Sequence, residues 1–471
     1  MYFQHIYEDG LAQASYFIGC QKTKEAIVID PRRDIDVYLR IAEEKNFNIT
    51  HVTETHIHAD FLSGARELAA ATGAEMLLSD EGDNDWQYQF DHTGLKNGDV
   101  IKIGKVSLEV MHTPGHTPEH ISFLLTDNAN SSEPVMIFTG DFVFVGDIGR
   151  PDLLEKAAGI TGTQEIGARQ MFQSLKKFKS LADHVQVWPG HGAGSACGKS
   201  LGAVPSSTVG YEKLVNWALN IEDEEEFVEK LLEGQPEPPK YFAMMKKLNK
   251  FGPTVLGGIP HPAKLTLNQF REALEKKVAI VDSRDKLSFA GGHVRGSLNI
   301  QDNNEFSTWA GWMLQYDEPF VLIAHEERVQ ELTKALVRIG MQNFYGYVSD
   351  LDKWADQCHE LETVSQITVN DLRQLIDKEG ENIEIIDVRS YVDYNEAHIP
   401  NSKNIHTGYI MDNLDEIPKD KRVVVYCQAG NRSSIAASTL LSSGFKNIVN
   451  LTGGYSAWEL EKLSAKSLSL N

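Results

Sequence analysis

The chain has few cysteines for its length and no long apolar run. Four cysteines occur in 471 residues, far apart at Cys20, Cys197, Cys358 and Cys427, which excludes a disulfide scaffold. Cys20 and Cys358 lie in otherwise structural contexts, and we expect both to pack in the interior. No stretch approaches the roughly 18 consecutive apolar residues of a membrane span, and the N-terminal MYFQHIYEDG lacks the parts of a secretory signal. These absences predict a cytoplasmic protein.

Positive charge is also scarce. Lys and Arg number 45 against 67 Asp and Glu, which leaves a formal net charge of −22. Nucleic acids and anionic membranes attract proteins through a positive field, so neither is an expected partner. Hydrophobic residues make up 41% of the chain and charged residues 24%, as in ordinary globular domains. At about 150 residues per domain, the length suggests roughly three domains.

Residues 1 to about 220 alternate short apolar runs with clusters of Gly, Asp and His. Helical spacing appears at 63–73 and near 164–180. Five runs predict buried strands that end in polar loops: AIVID (26–30), HVTET (51–55), VSLEVM (106–111), VMIFTG (135–140) and VQVWPG (185–190). The pattern predicts an α/β sandwich with its functional site along one edge.

The composition changes after residue 220. An acidic helix is predicted at 222–234, and a Gly- and Pro-rich stretch at 251–262 predicts a linker. Beyond it, AIVDSRDKLSFAGGHVRGSLNI matches EIIDVRSYVDYNEAHIPNSKNI at a constant offset of 105 residues, as for Asp282 and Asp387. The chain therefore repeats an α/β unit of roughly 100 residues. We place one domain at 1–252, a linker at 253–263, and two further domains at 264–362 and 363–471.

Four loops after predicted strands carry candidate metal ligands. Each lies in or beside a Gly or Pro turn, which lets the backbone approach a centre closely. Imidazoles and carboxylates together suit zinc, iron or manganese. A single histidine is more often structural, but four such loops in register predict a metal site. The candidates are His56, His58, Asp60, His116, Asp141 and His191.

These loops, in this order and spacing, resemble the metallo-β-lactamase superfamily over residues 1 to about 250. The resemblance implies an αββα sandwich. The family pattern is His-x-His-x-Asp-His, and here Phe61 follows Asp60, at the position of a second-metal histidine in the dinuclear hydrolases. A phenyl ring cannot bind a metal, so a tightly held pair of zinc ions is not expected.

Within this superfamily the chain is similar to the persulfide dioxygenases, which use one iron. The resemblance places the ligands of a single Fe(II) at His56, His116 and Asp141, a facial set that leaves open positions for oxygen and substrate. His58 would then orient a bound water or ligand without touching the iron. Asp60 and His191 would do the same, or be the remnant of a second-metal site.

Three residues near this site are candidates for contact with the substrate or its sulfur. Arg150 could hold an acidic thiol carrier or brace its loop by pairing with Asp152. Lys199 adds positive charge to the small-residue loop after His191. Cys197 is either an inert buried thiol or a carrier of sulfane sulfur, as the resemblance to bacterial dioxygenase–sulfurtransferase fusions implies.

Cys427 ends the predicted strand VVVYC and precedes a helix. A cysteine at this junction lies above backbone N–H groups and a helix N-terminus, both of which stabilise a thiolate. Protein phosphatases have five residues between this cysteine and the following arginine, whereas four precede Arg432 here, so the narrower ring suits a sulfur atom carried as a persulfide. Arg432 is expected to brace the loop or attract anions. The loop residues are Gln428, Ala429, Gly430 and Asn431.

This loop and the sequence before it resemble the rhodanese fold over about 365–471, which implies a parallel sheet. The first repeat, about 264–360, resembles the same fold without its thiol. We expect His325 at the position of Cys427, followed by Glu326 and Glu327, whose carboxylates would repel an anionic sulfur donor. The first repeat is therefore predicted to be non-catalytic.

Together the resemblances imply a persulfide dioxygenase–sulfurtransferase in hydrogen sulfide detoxification. It would oxidise a low-molecular-weight thiol persulfide with O2 to sulfite, and Cys427 would join sulfane sulfur to sulfite as thiosulfate. A homo-oligomer is also implied. The alternative is a glyoxalase II-like zinc thioester hydrolase with an attached sulfurtransferase, which Asp60 and His191 favour and Phe61 disfavours. A sulfur carrier with a structural metal is disfavoured because structural zinc sites have four protein ligands.

Overall fold

The structure, a computed structural model, describes residues 1–153, 162–199, 201–235, 237–357 and 360–468. Cys358 lies outside the described residues. The chain divides into two compact units, one of residues 1–260 with 334–341 and the other of residues 261–333 with 342–471. Within the described part, none of the helices has the length and apolar character needed to cross a bilayer.

Two six-stranded sheets form the centre of the first unit. The first has the order β1 (Tyr2–Glu8), β2 (Gln13–Gly19), β3 (Glu25–Ile29), β4 (Asn48–Thr53), β5 (Glu75–Ser79), β6 (Thr93–Leu95). The second has the order β12 (Ser207–Thr208), β11 (Gln186–Pro189), β10 (Met136–Gly140), β9 (Ile121–Asp127), β8 (Val106–His112), β7 (Val100–Ile103). Both sheets are mixed, since β3 pairs antiparallel with β2 and parallel with β4, and β10 pairs antiparallel with β9 and parallel with β11.

The inner faces of the two sheets bury one apolar core, which includes Tyr16, Ile29, Leu108 and Phe138. Alternate residues of each strand point into it, as the period of a strand requires. Helices with one apolar face cover the outer sides, namely α1 (Asp36–Lys45), α2 (Ala65–Thr72), α3 (Thr163–Lys179), α4 (Val209–Val215) and α5 (Glu224–Leu232). A further helix, α6 (Phe242–Phe251), follows them in the chain. This is the predicted αββα sandwich.

The five strands predicted from apolar runs are confirmed as β3, β4, β8, β10 and β11. Strands β8 and β10 both pair antiparallel with β9, so they run in the same direction, and β11 runs parallel to β10. Their carboxyl ends therefore lie at one edge of the second sheet. The loops with the candidate ligands leave from this edge and from the carboxyl end of β4.

Two parallel sheets, one for each repeat, form the second unit. The first has the order β14 (Leu298–Asn299), β13 (Ala279–Asp282), β15 (Phe320–Ile323), β16 (Phe344–Val348), and the second β17 (Ser365–Ile367), β21 (Ile448–Leu451), β20 (Arg422–Tyr426), β18 (Ile383–Asp387), β19 (Lys403–Asn404). All their pairings are parallel, as predicted. The helices from residue 264 onward are α7 (Leu267–Glu275), α8 (Lys286–Gly291), α9 (Phe306–Met313), α10 (Val329–Arg338), α11 (Asp352–Ala355), α12 (Val369–Glu379), α13 (Tyr391–Glu396), α14 (Asn431–Ser442) and α15 (Gly454–Leu468).

The strand register corrects one residue of the repeat alignment. Asp282 pairs with Ile323 in the first repeat, and Asp387 pairs with Tyr426 in the second. Cys427 follows Tyr426, so the residue at its position in the first repeat is Ala324 and not His325. The expected placement of His325 was wrong by one residue. The connection between these strands is two residues longer in the first repeat (282 to 323, against 387 to 426), so the offset of 105 residues becomes 103 beyond it. No thiol stands at that position with either alignment.

The two repeats share part of their interior. Phe289 and Ala290 of α8 in the first repeat belong to the apolar core that contains Ile386, Val425 and Leu440 of the second. The repeats therefore form one compact unit although each has its own sheet.

Phe289→Ala should destabilise both repeats at once. Removing a fully buried phenyl ring costs about 3–5 kcal/mol, and Phe289 is 0% exposed. We expect a lower urea midpoint for loss of structure around Cys427, measured as the rate at which its thiol becomes accessible to alkylation. Leu287→Ala on the same helix is the matched control, because Leu287 is 57% exposed. An unchanged midpoint for Cys427 in Phe289→Ala would contradict a shared core.

Candidate metal centre and thiol loop

His56, His116 and Asp141 meet at the edge of the sandwich. His56 lies on the loop after β4, His116 on the loop after β8, and Asp141 directly after β10. All three are buried, and one ligand atom of each lies within 4.8 Å of the others. The Asp141 Oδ2 atom is 3.5 Å from His116 Nε2 and 3.9 Å from His56 Nε2. The three predicted iron ligands are thus brought together.

The polar atoms of this group fit a bound cation. His56 Nε2 and both carboxylate oxygens of Asp141 are buried and have no hydrogen-bond partner among the described residues. Burying such atoms without partners is costly. Two imidazole nitrogens and a carboxylate around one point are a donor set that binds iron or zinc, so a metal ion would satisfy these atoms together.

The other ring nitrogens hold the imidazoles in place. His116 Nδ1 is 2.9 Å from the carbonyl oxygen of Arg150, and His56 Nδ1 is 3.0 Å from the Thr55 hydroxyl. Such contacts fix the ring orientation and leave Nε2 for a metal. Gly190 has to be a glycine, since a Cβ there would lie 2.7 Å from Asp141 Oδ1. Backbone can therefore approach the carboxylate closely.

Burial sets the charge of these ligands. It lowers the pKa of His56 well below its usual value, and the neighbouring His58 and His116 lower it further. Burial also lowers the pKa of His116. For Asp141, burial raises the pKa, but His191 and His116 act against it and the net shift is downward. Neutral imidazoles and an ionised carboxylate are the forms that bind metal ions.

A second group lies beside the first and contains Asp60, His191 and Cys197. His191 Nε2 is 3.3 Å from Asp60 Oδ2 and 3.4 Å from Asp141 Oδ1. Burial raises the pKa of the Cys197 thiol well above its usual value, and Asp141 and Asp60 raise it further. Cys197 is therefore held as a neutral thiol next to the centre, and its role as a sulfur carrier stays a prediction.

Phe61 follows Asp60 of this second group in the chain and packs against His58. Its side chain is 1% exposed, and its ring centroid is 4.3 Å from that of His58. The ring presents carbon atoms where the sequence pattern predicts a nitrogen ligand in dinuclear relatives. The second group therefore has one fewer nitrogen donor than the family pattern provides.

His58 is turned toward Asp30, a residue that sequence reasoning missed. His58 Nε2 is 3.1 Å from Asp30 Oδ1, and Asp30 also accepts hydrogen bonds from the backbone and hydroxyl of Thr55. Burial disfavours the charged imidazole, but Asp30 outweighs it and raises the pKa of His58 to about 9. Asp30 is the last residue of the predicted strand AIVID. Because the candidate ligands also lie at or just after strand ends, this position could have identified Asp30 from the sequence.

Asn249 on α6 was also missed, and it holds the loop that carries His58 and Phe61. Its amide donates to the carbonyl oxygens of both residues at 2.8 Å, and its Oδ1 accepts the N–H of Ser63 at 2.9 Å. Asn249 is 1% exposed. Because Asn249 lies far from this loop along the chain, no local sequence pattern indicated the contact.

His120 is a further missed residue that braces the centre from behind. It is buried, and its Nε2 accepts the backbone N–H of Asp141 at 3.2 Å. Its ring stacks on His56 with a centroid distance of 5.1 Å. His120 therefore orients a ligand and the carboxylate-bearing backbone without joining the group of candidate ligands.

The two predicted substrate contacts lie on the neighbouring loops. Arg150 is fully buried, and its guanidinium pairs with both oxygens of Asp152 at 2.6 and 2.7 Å and donates to the Ala196 carbonyl oxygen at 3.3 Å. These contacts brace the loop before Cys197. Lys199 is exposed, and its Nζ donates to the carbonyl oxygen of Lys230 at 3.1 Å. Contact of Arg150 or Lys199 with a substrate stays a prediction.

The thiol loop lies between β20 and α14 in the second unit. Cys427 follows β20 and is 1% exposed. Its Sγ accepts the backbone N–H of Gly430 at 3.1 Å and the hydroxyl of Ser433 at 3.6 Å. Gly430 has a φ of 98°, a conformation that glycine adopts at little cost. One backbone N–H and one hydroxyl thus donate to the sulfur, and the wider ring of backbone N–H groups stays a prediction.

Side chains fix the remaining loop residues. Gln428 accepts a hydrogen bond from Arg389 at 3.1 Å and donates to the Ser456 hydroxyl at 2.8 Å. Arg389 Nη2 itself pairs with Asp387 Oδ2 at 2.7 Å. Arg432 Nη1 lies 3.6 Å from Asp393 Oδ2. The part of Arg432 in sulfur transfer stays a prediction.

Family models match both units. One described as the metallo-beta-lactamase superfamily matches residues 9–191, and one described as a rhodanese-like domain matches 266–357 and 368–461. A solved structure of a metallo-beta-lactamase from Staphylococcus aureus subsp. aureus COL is 47% identical, covers 74% of this chain and 99% of its own, and superposes with a TM-score of 0.69. The chain belongs to the metallo-beta-lactamase superfamily. In this member the sandwich is followed by two rhodanese-like domains, as predicted.

Curated relatives in this superfamily carry different activities. A hydroxyacylglutathione hydrolase from Rhodospirillum rubrum is 34% identical over 37% of this chain and 60% of its own length. The mitochondrial persulfide dioxygenase ETHE1 of Bos taurus is 26% identical over 47% of this chain and 77% of its own. The chain spans about 60% of the length of the first curated relatives it matches. The choice between these activities therefore rests on residues of this chain.

Proposed function

We propose that this member of the superfamily is a persulfide dioxygenase joined to a sulfurtransferase. The sandwich would bind one Fe(II) at His56, His116 and Asp141 and oxidise the sulfane sulfur of a low-molecular-weight thiol persulfide to sulfite. Cys427 would then transfer sulfane sulfur to sulfite and yield thiosulfate, in hydrogen sulfide detoxification. A cytoplasmic location and a homo-oligomer belong to the same proposal.

The observation that carries the proposal is Phe61. It stands where the dinuclear hydrolases keep a second-metal histidine, and its buried ring supplies no ligand atom. A hydrolase of this family would lose that donor, whereas a centre with one iron does not need it. The complete thiol loop around Cys427 adds a sulfur-handling group to the same chain.

The residues of the sandwich would prepare the site for this reaction. Iron bound there would supply adjacent open positions for O2 and the persulfide sulfur. The Arg150 carbonyl and the Thr55 hydroxyl hold His116 and His56 in position. His58 keeps its proton near neutral pH because Asp30 raises its pKa to about 9, so it can stabilise negative charge beside the centre.

The step at Cys427 is a nucleophilic exchange. The thiolate attacks the outer sulfur of the donor persulfide, the donor S–S bond breaks as a new S–S bond to Cys427 forms, and the donor leaves as a thiolate while the proton stays on the transferred sulfur. Sulfite then attacks the outer sulfur with its lone pair, which forms thiosulfate and restores the thiolate. The Gly430 N–H and the Ser433 hydroxyl, which donate to Sγ, would stabilise the thiolate before and after transfer.

The second candidate is a zinc thioester hydrolase that resembles glyoxalase II. Asp60 and His191 favour it, since they lie 3.3 Å apart beside Asp141 and offer donors for a second metal. The identity to the hydroxyacylglutathione hydrolase points in the same direction. Zinc at such a site would lower the pKa of bound water for attack on a carbonyl.

Oxygen uptake distinguishes the two candidates. The protein is loaded anaerobically with iron and given glutathione persulfide, and sulfite and thiosulfate are quantified. The proposal predicts O2 consumption with formation of both products. Cleavage of S-lactoylglutathione by the zinc-loaded protein, without O2 uptake by the iron-loaded protein, would establish the hydrolase.

Phe61→His should raise the number of tightly bound zinc ions from one to two per chain. The new imidazole would join Asp60 and His191 and complete the donor set of the dinuclear family members. The metal content after dialysis, measured by plasma mass spectrometry, gives the stoichiometry. Phe61→Leu is the matched control and should still bind one ion. Two tightly bound ions in the unaltered protein would contradict the single-metal proposal.

A further inference from the structure

The first rhodanese-like repeat has no thiol, yet one of its residues reaches the loop of the second. Lys286 is the first residue of α8, and its Nζ donates to the carbonyl oxygen of Ala429 at 3.1 Å and to Asn431 Oδ1 at 2.6 Å. Both acceptors belong to the thiol loop, and all three residues lie in the second compact unit.

The Ala429 carbonyl belongs to the same peptide group as the Gly430 N–H. The structure has no cis peptide bonds in its described part, so this C=O and N–H point in opposite directions. The N–H end donates to Cys427 Sγ at 3.1 Å. Lys286 therefore binds the carbonyl oxygen of this peptide group, while the N–H on its opposite side faces the sulfur.

Among the described residues, the hydrogen bonds of this peptide are those to Lys286 and to Cys427 Sγ. Gly430 has a φ of 98°, and glycine adopts either sign of φ readily, so rotation of the peptide between Ala429 and Gly430 meets little steric resistance. Rotation would turn a carbonyl oxygen toward the thiolate in place of an N–H. A positive charge on the carbonyl side favours the orientation with the N–H inward and polarises that N–H.

Lys286 is itself held in place by the shared core. Its backbone N–H donates to Gln301 Oε1 at 3.2 Å, and Phe289, one turn along α8, is fully buried in the core that the repeats share. The side chain is half-buried beside Gly430, with its Cε 3.6 Å from where a Cβ of Gly430 would stand. The backbone of Lys286 is therefore anchored beside the shared core, and the bonds to Ala429 and Asn431 place its ammonium group.

We propose that Lys286 of the thiol-free repeat positions the Ala429–Gly430 peptide of the second repeat and places a positive charge beside Cys427. Its effect is to stabilise the thiolate and to favour anionic partners such as thiosulfate and sulfite. Lys286 acts through the peptide and is a positioning residue. The proposal deepens the proposed function, because it rests on sulfur transfer by Cys427, and it gives the thiol-free repeat a task in that reaction.

The test compares Lys286→Met with Lys286→Arg and with Lys276→Met. Methionine keeps the unbranched stem and removes the charge, and arginine restores a charged donor. Lys276 is a matched control in the same repeat, since its Nζ contacts Tyr345 and Glu272 and not the loop. All variants are made in the full-length protein.

The first readout is alkylation of Cys427 by iodoacetamide, followed by mass spectrometry across pH 5 to 10. Loss of a charge-assisted bond to the peptide should slow alkylation of Lys286→Met about fivefold at neutral pH and move the profile to higher pH. Lys286→Arg should recover most of the rate, and Lys276→Met should match the unaltered protein. A Lys286→Met profile that coincides with that of the unaltered protein would overturn the proposal.

The second readout is sulfur transfer from thiosulfate, with KM and kcat determined separately. We expect KM for this dianion to rise severalfold in Lys286→Met, while iron-dependent O2 uptake stays unchanged. If the unaltered protein shows no sulfur transfer, the proposed function fails at Cys427. Alkylation still decides the role of Lys286 in that case, so the two failures are distinguishable.

Discussion

Under the proposed function, we expect His116→Ala to abolish O2 uptake with a persulfide and to leave sulfur transfer by Cys427 intact. His116 Nε2 lies 3.5 Å from Asp141 Oδ2, and the carbonyl oxygen of Arg150, 2.9 Å from Nδ1, holds the ring in this orientation. Removing one of three protein ligands should cost roughly 100-fold or more, since even outer partners of ligands cost about 10–100-fold. O2 electrode traces at matched protein concentration measure the loss.

The iron content shows whether the loss of O2 uptake in His116→Ala is due to loss of the metal. The iron content of His116→Ala should fall together with the activity, because the site would retain one imidazole and one carboxylate. His184→Ala, an exposed histidine of the same unit, is the matched control and should keep both iron and activity. Full O2 uptake in His116→Ala would remove His116 from the ligand set and the proposed centre with it.

Cys427→Ser is expected to have the second large effect. Under the proposed function, sulfite should replace thiosulfate as the product of persulfide oxidation. A serine hydroxyl fits the space of the thiol and accepts the same hydrogen bonds from Gly430 and Ser433. It does not form a persulfide, so the transfer rate should fall by at least roughly 1,000-fold, as for other lost nucleophiles. Ion chromatography of sulfite and thiosulfate follows the change.

Cys197→Ser is the companion to this experiment. Cys197 is buried between carboxylates that disfavour its thiolate, whereas backbone and hydroxyl donors surround the sulfur of Cys427. The contrast predicts that Cys427→Ser stops thiosulfate formation and that Cys197→Ser does not. Full activity of Cys197→Ser in every sulfur-transfer assay would remove the predicted carrier role of Cys197. Continued thiosulfate formation in Cys427→Ser would place the transfer step at another thiol.

The sequence predicted the metal centre because its ligands mark strand ends. His56, His116 and Asp141 follow apolar runs, and the last two lie in Gly- or Pro-containing turns, so local patterns placed all three at one edge. The repeats were visible from a constant offset, which Asp387 and Arg389 keep because their ion pair supports the fold. The candidate ligands and the repeats could both be predicted because each depends on short, contiguous sequence patterns.

Residues that act from a distance left no comparable signal. Asn249 reaches the His58 loop from a helix almost two hundred residues later, and Lys286 reaches the loop of another repeat. The exact equivalent of Cys427 was misplaced at His325 for a related reason. Hydrogen bonds between strands set the register, and a length difference in a connection shifts it without changing the strand pattern.

The interior shared by the two repeats limits how this protein can be taken apart. A fragment that began at residue 363 would carry the whole thiol loop, but it would expose the surface that Phe289 and Ala290 cover and would lack Lys286. Such a fragment would be prone to aggregation. Anyone who wishes to graft this sulfur-transfer activity onto another protein should therefore transplant the repeats as a pair, since the pair is the smallest transferable module.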